Sequence, residues 1–281
     1  PFAIAIGPDP ITGFISSARV GTGISEADVI GAVRGEPLEI VKCETVDLEV
    51  PAHAEIILEG EVSPTETEWE GPFGEFTGYR ASPRDKRPVF KITAITHRSN
   101  PILTASCMGT PIDESDVVIS ITGAAEIFEE LEKAAIPVVA VNRPAECIGH
   151  LIIVSVNAKI TNMPYVADKV ASCIWGSEYG TGAPYVVVVE DDIDIYDIWQ
   201  VLHALTTKCH PWRGIHKVER AQGHSLMPFL SRPERLLRMG AKSSFDCIWP
   251  IDWDPSIAVP PRASFDKIYP AEIQEHVLKN W

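Results

Sequence analysis

Over roughly the first hundred positions, apolar and polar residues alternate in short runs, "PFAIAIG", "LEIVKC", "AEIILEGEV" and "PVFKITAITH", punctuated by Gly, Pro and Asp. A period of two bounded by turn formers predicts strands. One segment breaks the alternation: "ISEADVIGAVRG" reads as a short helix, with Ser25 as N-cap and Gly35 just past its end. From residue 116 the period changes, and "DVVISITGAAEIFEELEKAA" places Val118, Ile121, Ala125 and Leu131 at helical spacing, which predicts a long amphipathic connector. Beyond it, strands "IPVVAVNR", "HLIIVSVN" and "YVVVVE" alternate with helices "PYVADKVASCIW" and "IYDIWQVLHALTTKC", the pattern of an α/β unit. The stretch from about 221, rich in Pro and Trp, predicts a wrapped tail or subunit contact with one short terminal helix. The fold class expected is therefore α+β: a β-rich unit over 1–115, a linking helix over 116–135, and an α/β unit with an extended tail over 136–281.

Composition narrows the function classes. Hydrophobic residues make up 45% of the 281 and charged ones 22%, ordinary for a globular protein with a real core. The formal charge of -15 and the lack of a Lys/Arg cluster exclude nucleic acid as a partner, since phosphate binding needs a basic face. Six cysteines are scattered without a C-x-x-C pair, which predicts reduced thiols and a cytoplasmic setting. No apolar run approaches the roughly 20 residues of a membrane helix, so no span is expected. The chain opens directly on a strand-like run, with no initiator Met, basic n-region or cleavage pattern, and this predicts a further segment upstream.

The stretch with most chemistry in it is "EGPFGEFTGYR", residues 70–80. A spacing of five puts Glu70 and Glu75 on opposite faces of a strand and well apart on a helix, so the segment reads as a loop. Glycine opens backbone angles closed to other residues and proline fixes its own φ, so such a turn can hold two carboxylates around a pocket. In unlike environments their pKa values separate, leaving one charged and one able to deliver a proton. A tight turn carrying two solvated acids accounts for the spacing equally well.

Taken with "ITAITHRSNPILTAS", "IDESDVV" and "VVVVEDDIDIYDIWQVLHALTTKCHP", this loop resembles the UbiD family of reversible decarboxylases, in register from Pro1 to Trp281. The resemblance is to the aromatic and aryl-acrylic acid type. It implies a split-barrel domain for prenylated FMN, a long linking helix and a C-terminal α/β domain for homo-oligomerisation. It also implies non-oxidative loss of CO2 from an aromatic or α,β-unsaturated acid through a covalent adduct with the cofactor, which a flavin prenyltransferase supplies. A carbanion at an sp2 carbon needs such an electron sink, because no side chain delocalises it. In the family's Glu-Arg-Glu network, Glu75 corresponds to the proton donor and Glu70 to the residue holding the charge balance.

Other positions carry over in the same way. Glu26, in "GISEADVIGA", matches a ligand of Mn²⁺ or Mg²⁺ beside the flavin phosphate, with K⁺ nearby in several members. A first-turn acid also simply favours a helix N-terminus. "FISSAR" matches a loop lining the cofactor, so Ser17 and Ala18 are candidate contacts. Met108, Ser115, Ile119, His224 and Leu226 fall where the family lines its aromatic pocket. His224 stands where cinnamate-type relatives have phenylalanine, and an imidazole there suits a hydroxyaryl acid. The remaining histidines, His150 among them, form no constellation, and the "EDDID" run reads as a strand end and helix cap rather than a metal site. The family's arginine, its asparagine and histidine metal ligands, and a lysine ahead of "VVVVEDDID" have no counterpart here. A non-catalytic assembly subunit, or a carboxylase acting on a phenolic substrate, are the alternatives.

Overall fold

The protein is described by a computed structural model covering residues 1–18, 20, 23–157, 165–254 and 256–281. Strand β1 (Phe2–Ile6), β4 (Ile56–Glu70) and β5 (Asp85–His97) form an antiparallel sheet in the order β1-β4-β5, with β2 (Ile40–Lys42) and β3 (Glu49–Pro51) as a separate hairpin. Among the described residues this sheet is open and does not close into a barrel. The register places Ile4 opposite Leu58 and Leu58 opposite Ile95. That row leaves Ile4 and Ile95 exposed, while the opposite face packs Ala3, Ala5 and Ile57 onto Val50 and Ala54.

A buried acid fastens the hairpin to the sheet. Glu59 is 1% exposed, yet its carboxylate accepts from the Glu44 and Thr45 amides at 2.9 and 2.7 Å and from the Thr45 hydroxyl at 2.8 Å. These bonds, led by the one from Glu44, hold its pKa below the usual range. Next to it the register shifts, and a side chain at Gly60 would run into the Lys91 carbonyl, so only glycine lets the two strands approach.

Two helices precede this sheet's hairpin. The second, α2 (Glu26–Arg34), starts at Ser25, whose hydroxyl accepts from the Ala27 amide, and ends at Gly35 in the left-handed region, as the sequence predicts. The first, α1 (Pro10–Ser17), is an addition. Its signal is Asp9 followed by Pro10 and Thr12, an N-cap with proline at the first helical position. The "FISSAR" run is therefore the end of a helix rather than a loop, with Arg19 outside the described residues.

The second part is a three-layer arrangement. β6 (Val138–Asn142), β7 (Leu151–Val156), β8 (Tyr185–Glu190), β9 (Ile215–Gln222) and β10 (Met239–Cys247) form a mixed sheet in the order β6-β7-β8-β10-β9. Its parallel centre, β7-β8-β10, is buried on both faces, which is why "LIIVSV" and "YVVVV" are continuous apolar runs. One face packs on α3 (Glu114–Lys133) and α4 (Val166–Gly176), and the other on α5 (Ile198–Thr207). Pro164, the start expected for α4, lies outside the described residues. The run at 190–194 ends β8, but the cap of α5 is Asp197, and Glu190 and Asp192 instead bind Lys208 at 2.5 and 3.2 Å.

The tail expected from 221 needs correcting. Its first part completes β9, turns through α6 (Arg232–Leu237) and returns as β10 in the interior of the sheet. "MGAKSSFDC" shows no apolar alternation because its buried positions include Lys242 and Ser244. The Lys242 ammonium donates to the Thr181 carbonyl at 2.6 Å and lies 5.7 Å from the centre of the Trp175 ring, and burial lowers its pKa to about 8. Only α7 (Phe265–Ile268) and α8 (Ala271–Asn280) remain as an exposed tail.

Ile127 and Leu131 of α3 are both 0% exposed. Truncation of Leu131 to alanine removes buried methyl groups without a route to collapse. We expect it to cost about 2–5 kcal/mol in a denaturant titration.

Candidate active site

The chain between β4 and β5 is the "GPFGEFTGYR" loop. Gly71 and Gly78 both take φ of 77°, and a Cβ on Gly78 would sit 2.8 Å from the Thr110 methyl, so the loop tip lies directly on the segment around Thr110. The Glu75 amide donates to the Tyr79 carbonyl at 3.1 Å and its carbonyl accepts from the Gly78 amide at 2.9 Å, which closes a turn around the glutamate. Glu70 is the last residue of β4. Its side chain is 56% exposed, with one carboxylate oxygen 3.9 Å from the Arg87 Nε. Glu75 is half-buried, and burial first, then the charge of Glu70, push its pKa up. The two acids thus have the unlike environments that the spacing suggested.

Beside the loop is a cavity of about 350 Å³, lined by Phe76, Met108, Ser115, Ile119, His150 and His224 among others. A wider cleft of about 780 Å³ runs along 105–118 and shares Met108 and Asp113 with it. The wall from α3 is fixed by a capping box: Asp113 Oδ1 accepts from the Ser115 and Asp116 amides, and Asp116 returns a bond to the Asp113 amide. The other oxygen, Asp113 Oδ2, is buried with no hydrogen-bond partner. Burial also raises the Asp116 pKa.

Phe76 stands edge-on to two imidazoles, with ring centres 5.5 Å from His224 and 6.2 Å from His150. His224 Nδ1 accepts from the Leu226 amide at 3.2 Å, which places the proton of the neutral ring on Nε2. Burial lowers its pKa, with Arg238 adding to the effect. For His150, burial together with the charges of His224 and Arg143 brings the pKa down to about 4, and its Nε2 is buried without a partner. Both rings are therefore neutral near pH 7.

The structure brings together Met108, Ser115, Ile119 and His224 in one cavity wall and puts Glu75 next in the chain to Phe76. Leu226 does not line the cavity; its amide orients His224 instead. Ser17, Ala18 and Glu26 line neither cavity. The Ser17 hydroxyl donates to the Gly13 carbonyl and the Ala18 amide to the Ile15 carbonyl, while Glu26 is exposed in the first turn of α2. Among the described residues no three His, Cys, Asp or Glu side chains stand together as a metal site.

Sequence reading missed Phe76, His150 and Arg143. Gly123 and Gly149 leave room for the Arg143 guanidinium, which a Cβ at either position would strike. The available signal was "IGH", a glycine and a polar ring directly before the apolar strand β7.

Residues 1–111 match the family described as the 3-octaprenyl-4-hydroxybenzoate carboxy-lyase Rift-related domain, and 116–247 match the corresponding C-terminal domain. The whole chain is 30% identical to 58% of a pyrrole-2-carboxylic acid decarboxylase from Pseudomonas aeruginosa, and 32% identical to 57% of ferulic acid decarboxylase 1 from Saccharomyces cerevisiae. Among solved structures, the closed form of vanillic acid decarboxylase from Sedimentibacter hydroxybenzoicus aligns with a TM-score of 0.83 at 32% identity, covering 99% of this chain and 57% of that one. HmfF from Pelotomaculum thermopropionicum, in complex with FMN, aligns with a TM-score of 0.82 at 28% identity, covering 99% and 58%. The chain thus spans less than two thirds of the length of these relatives.

A histidine neutral when folded and ordinary when unfolded has a definite linkage sign. Between about pH 6.5 and 4 the unfolded chain takes up a proton at His150 that the folded chain refuses, so stability falls as pH falls through that window. His150→Phe should flatten this part of the stability curve by on the order of 1–3 kcal/mol between pH 7 and 4, read from denaturant titrations of both forms across that range.

Proposed function

The chain belongs to the UbiD family of carboxy-lyases, and from that premise we propose that the polypeptide carrying it removes CO2 reversibly from an aromatic or α,β-unsaturated carboxylic acid, with Glu75 as the proton donor. The observation behind the assignment is the contrast between the two loop acids, one open to solvent and one half-buried with a raised pKa, beside a cavity of the size of a small aromatic acid. Glu75 does not itself line the cavity, but it adjoins Phe76, which does, and a carboxyl kept protonated to higher pH than usual can give its proton to a carbon centre brought within its reach. Glu70 contributes by its charge, which disfavours ionisation of Glu75.

The cavity wall bears on the substrate class. Phe76, Met108 and Ile119 present an apolar surface to an aromatic ring, and His224, with its proton directed to Nε2, offers a donor to a ring hydroxyl. A hydroxyaryl acid fits this better than an unsubstituted one.

When bound, prenylated FMN supplies the electron sink that CO2 loss requires. The cleft along 105–118 and the partnerless Asp113 oxygen fit one side of such a group, and Ser17 and Ala18 are proposed to approach it from the end of α1, which packs on α2 and touches α3. A flavin prenyltransferase would supply it. A divalent ion does not fit this stretch by itself. Mn²⁺ or Mg²⁺ takes about six oxygen donors, and Glu26 offers a single exposed carboxylate, so Glu26 is proposed as one ligand among several.

The family's split barrel is proposed to include the β1-β4-β5 sheet, supported by the exposed apolar row Ile4 and Ile95 on its outer face. The linking role of α3 and the division at 115 and 135 are proposed on the same footing, as are a homo-oligomer and a cytoplasmic setting. No helix among the described residues is long and apolar enough to cross a membrane.

Two substitutions in the full polypeptide test the assignment, with CO2 release from hydroxyaryl acids as the measurement. Glu75→Gln should lower turnover about 10²–10⁴-fold. Glu70→Gln should bring the Glu75 pKa down, moving the alkaline fall of the rate profile to lower pH. Unchanged turnover in Glu75→Gln would overturn the proton-donor assignment, whereas a parent polypeptide that neither binds flavin nor releases CO2 would leave the reading of a non-catalytic assembly subunit.

A further inference from the structure

Cavity residues are useful only if their relative placement is held, and here two that touch, Phe76 and His224 with ring centres 5.5 Å apart, come from distant parts of the chain. Phe76 and Glu75 lie on the loop after β4, whereas His224 lies between β9 and α6. One side chain touches both. The Arg235 guanidinium donates through Nη1 to the Ala81 carbonyl at 2.6 Å and through Nη2 to the Pro228 carbonyl at 2.9 Å. Ala81 follows Phe76 by five residues on the loop, and Pro228 follows His224 by four on the turn after β9.

The arginine is itself aimed by its surroundings. In the capping box at the start of α6, Glu234 Oε2 accepts from the Ser231 amide at 2.7 Å and from its hydroxyl at 2.6 Å, and the Arg235 amide bonds back to the Ser231 carbonyl. Ala81 is buried, so its carbonyl depends on a protein donor rather than on water. A planar fork spanning two carbonyls transmits a fixed separation, which a single-point ammonium does not.

We propose that Arg235 is a positioning residue that clasps the Glu75 loop to the His224 turn and so holds the Phe76–His224 contact, and with it the Glu75 side of the cavity, in place. It lines neither cavity. Its effect is on the alignment of the proton donor with the reacting carbon, where displacements of about 1 Å are worth up to 10²-fold in rate. The role rests on the assignment of Glu75 as proton donor.

The test uses the full polypeptide with its cofactor, and compares Arg235→Met and Arg235→Lys with the parent by steady-state kinetics and by amide hydrogen exchange. The Gly78 amide, bonded to the Glu75 carbonyl, reports the order of the loop directly. Arg235→Met should lower kcat about 10-fold or more with a smaller change in KM, and should speed exchange in 71–81 while the β7-β8 core stays protected. Arg235→Lys, keeping one of the two bonds, should fall between. Parental kcat and parental exchange in Arg235→Met would overturn the proposal, as would a general loss of protection that includes the core, since that is a folding defect. A Glu75→Gln enzyme that still turns over, combined with faster loop exchange in Arg235→Met, would instead place the failure in the proton-donor assignment and leave the clasp standing.

Discussion

Burial of the second half of α3 is the constraint on which the rest of the molecule hangs. Ile127 and Leu131 lie in the core with β7, β8 and α4, so the helix cannot turn or slide without opening that core. Its first half is thereby held out as a rigid wall, with Asp113 and Asp116 locking the opening turn and Ser115 and Ile119 facing the cavity. An apolar anchor at one end of a 20-residue helix thus fixes polar groups at the other. Rigid elements place site residues more reproducibly than loops do, and the loop that carries Glu75 is pinned by close approach to Thr110 and by Arg235.

Desolvation governs the chemistry around that wall. Glu75, Asp116, His150 and His224 all have burial as the first cause of their shift, and in each the neutral form gains. Carboxyls move up and imidazoles move down, so each of these groups ionises less readily than it would in water. Such a surface suits an aromatic ring while keeping donors and acceptors at its rim.

Much of this was legible in the chain. The apolar runs of β7 and β8, the helical spacing of α3, and the cap and stop of α2 at Ser25 and Gly35 each follow from a local pattern with a known cause. The loop acids and four of five pocket residues were also reachable, through the family resemblance. β10 was hidden because a strand in the middle of a sheet buries Lys242 and Ser244, whose polarity reads as loop. His150 was hidden because its importance comes from Phe76 and His224, 74 residues away at either side of the fold. The clasp at Arg235 could not be read at all, since it joins positions 154 residues apart through backbone carbonyls that carry no side-chain signature.

The open sheet has a practical side. β1 and β5 are its two edges among the described residues, and β5 runs for 13 residues with exposed Phe90, Ile92 and Ile95. Long apolar edges recruit further strands unless charge repels them. Here two of the three Lys/Arg side chains on β5 are already paired with acids, Lys91 with Glu66 at 2.6 Å and Arg87 with nearby Asp85 and Glu70, and the third, Lys86, lies over the Trp69 ring. They leave little to keep two copies apart. Clumping of this stretch, rather than lost turnover, is then the first symptom of a sheet left without its covering, and simple light scattering reports on it before any assay does.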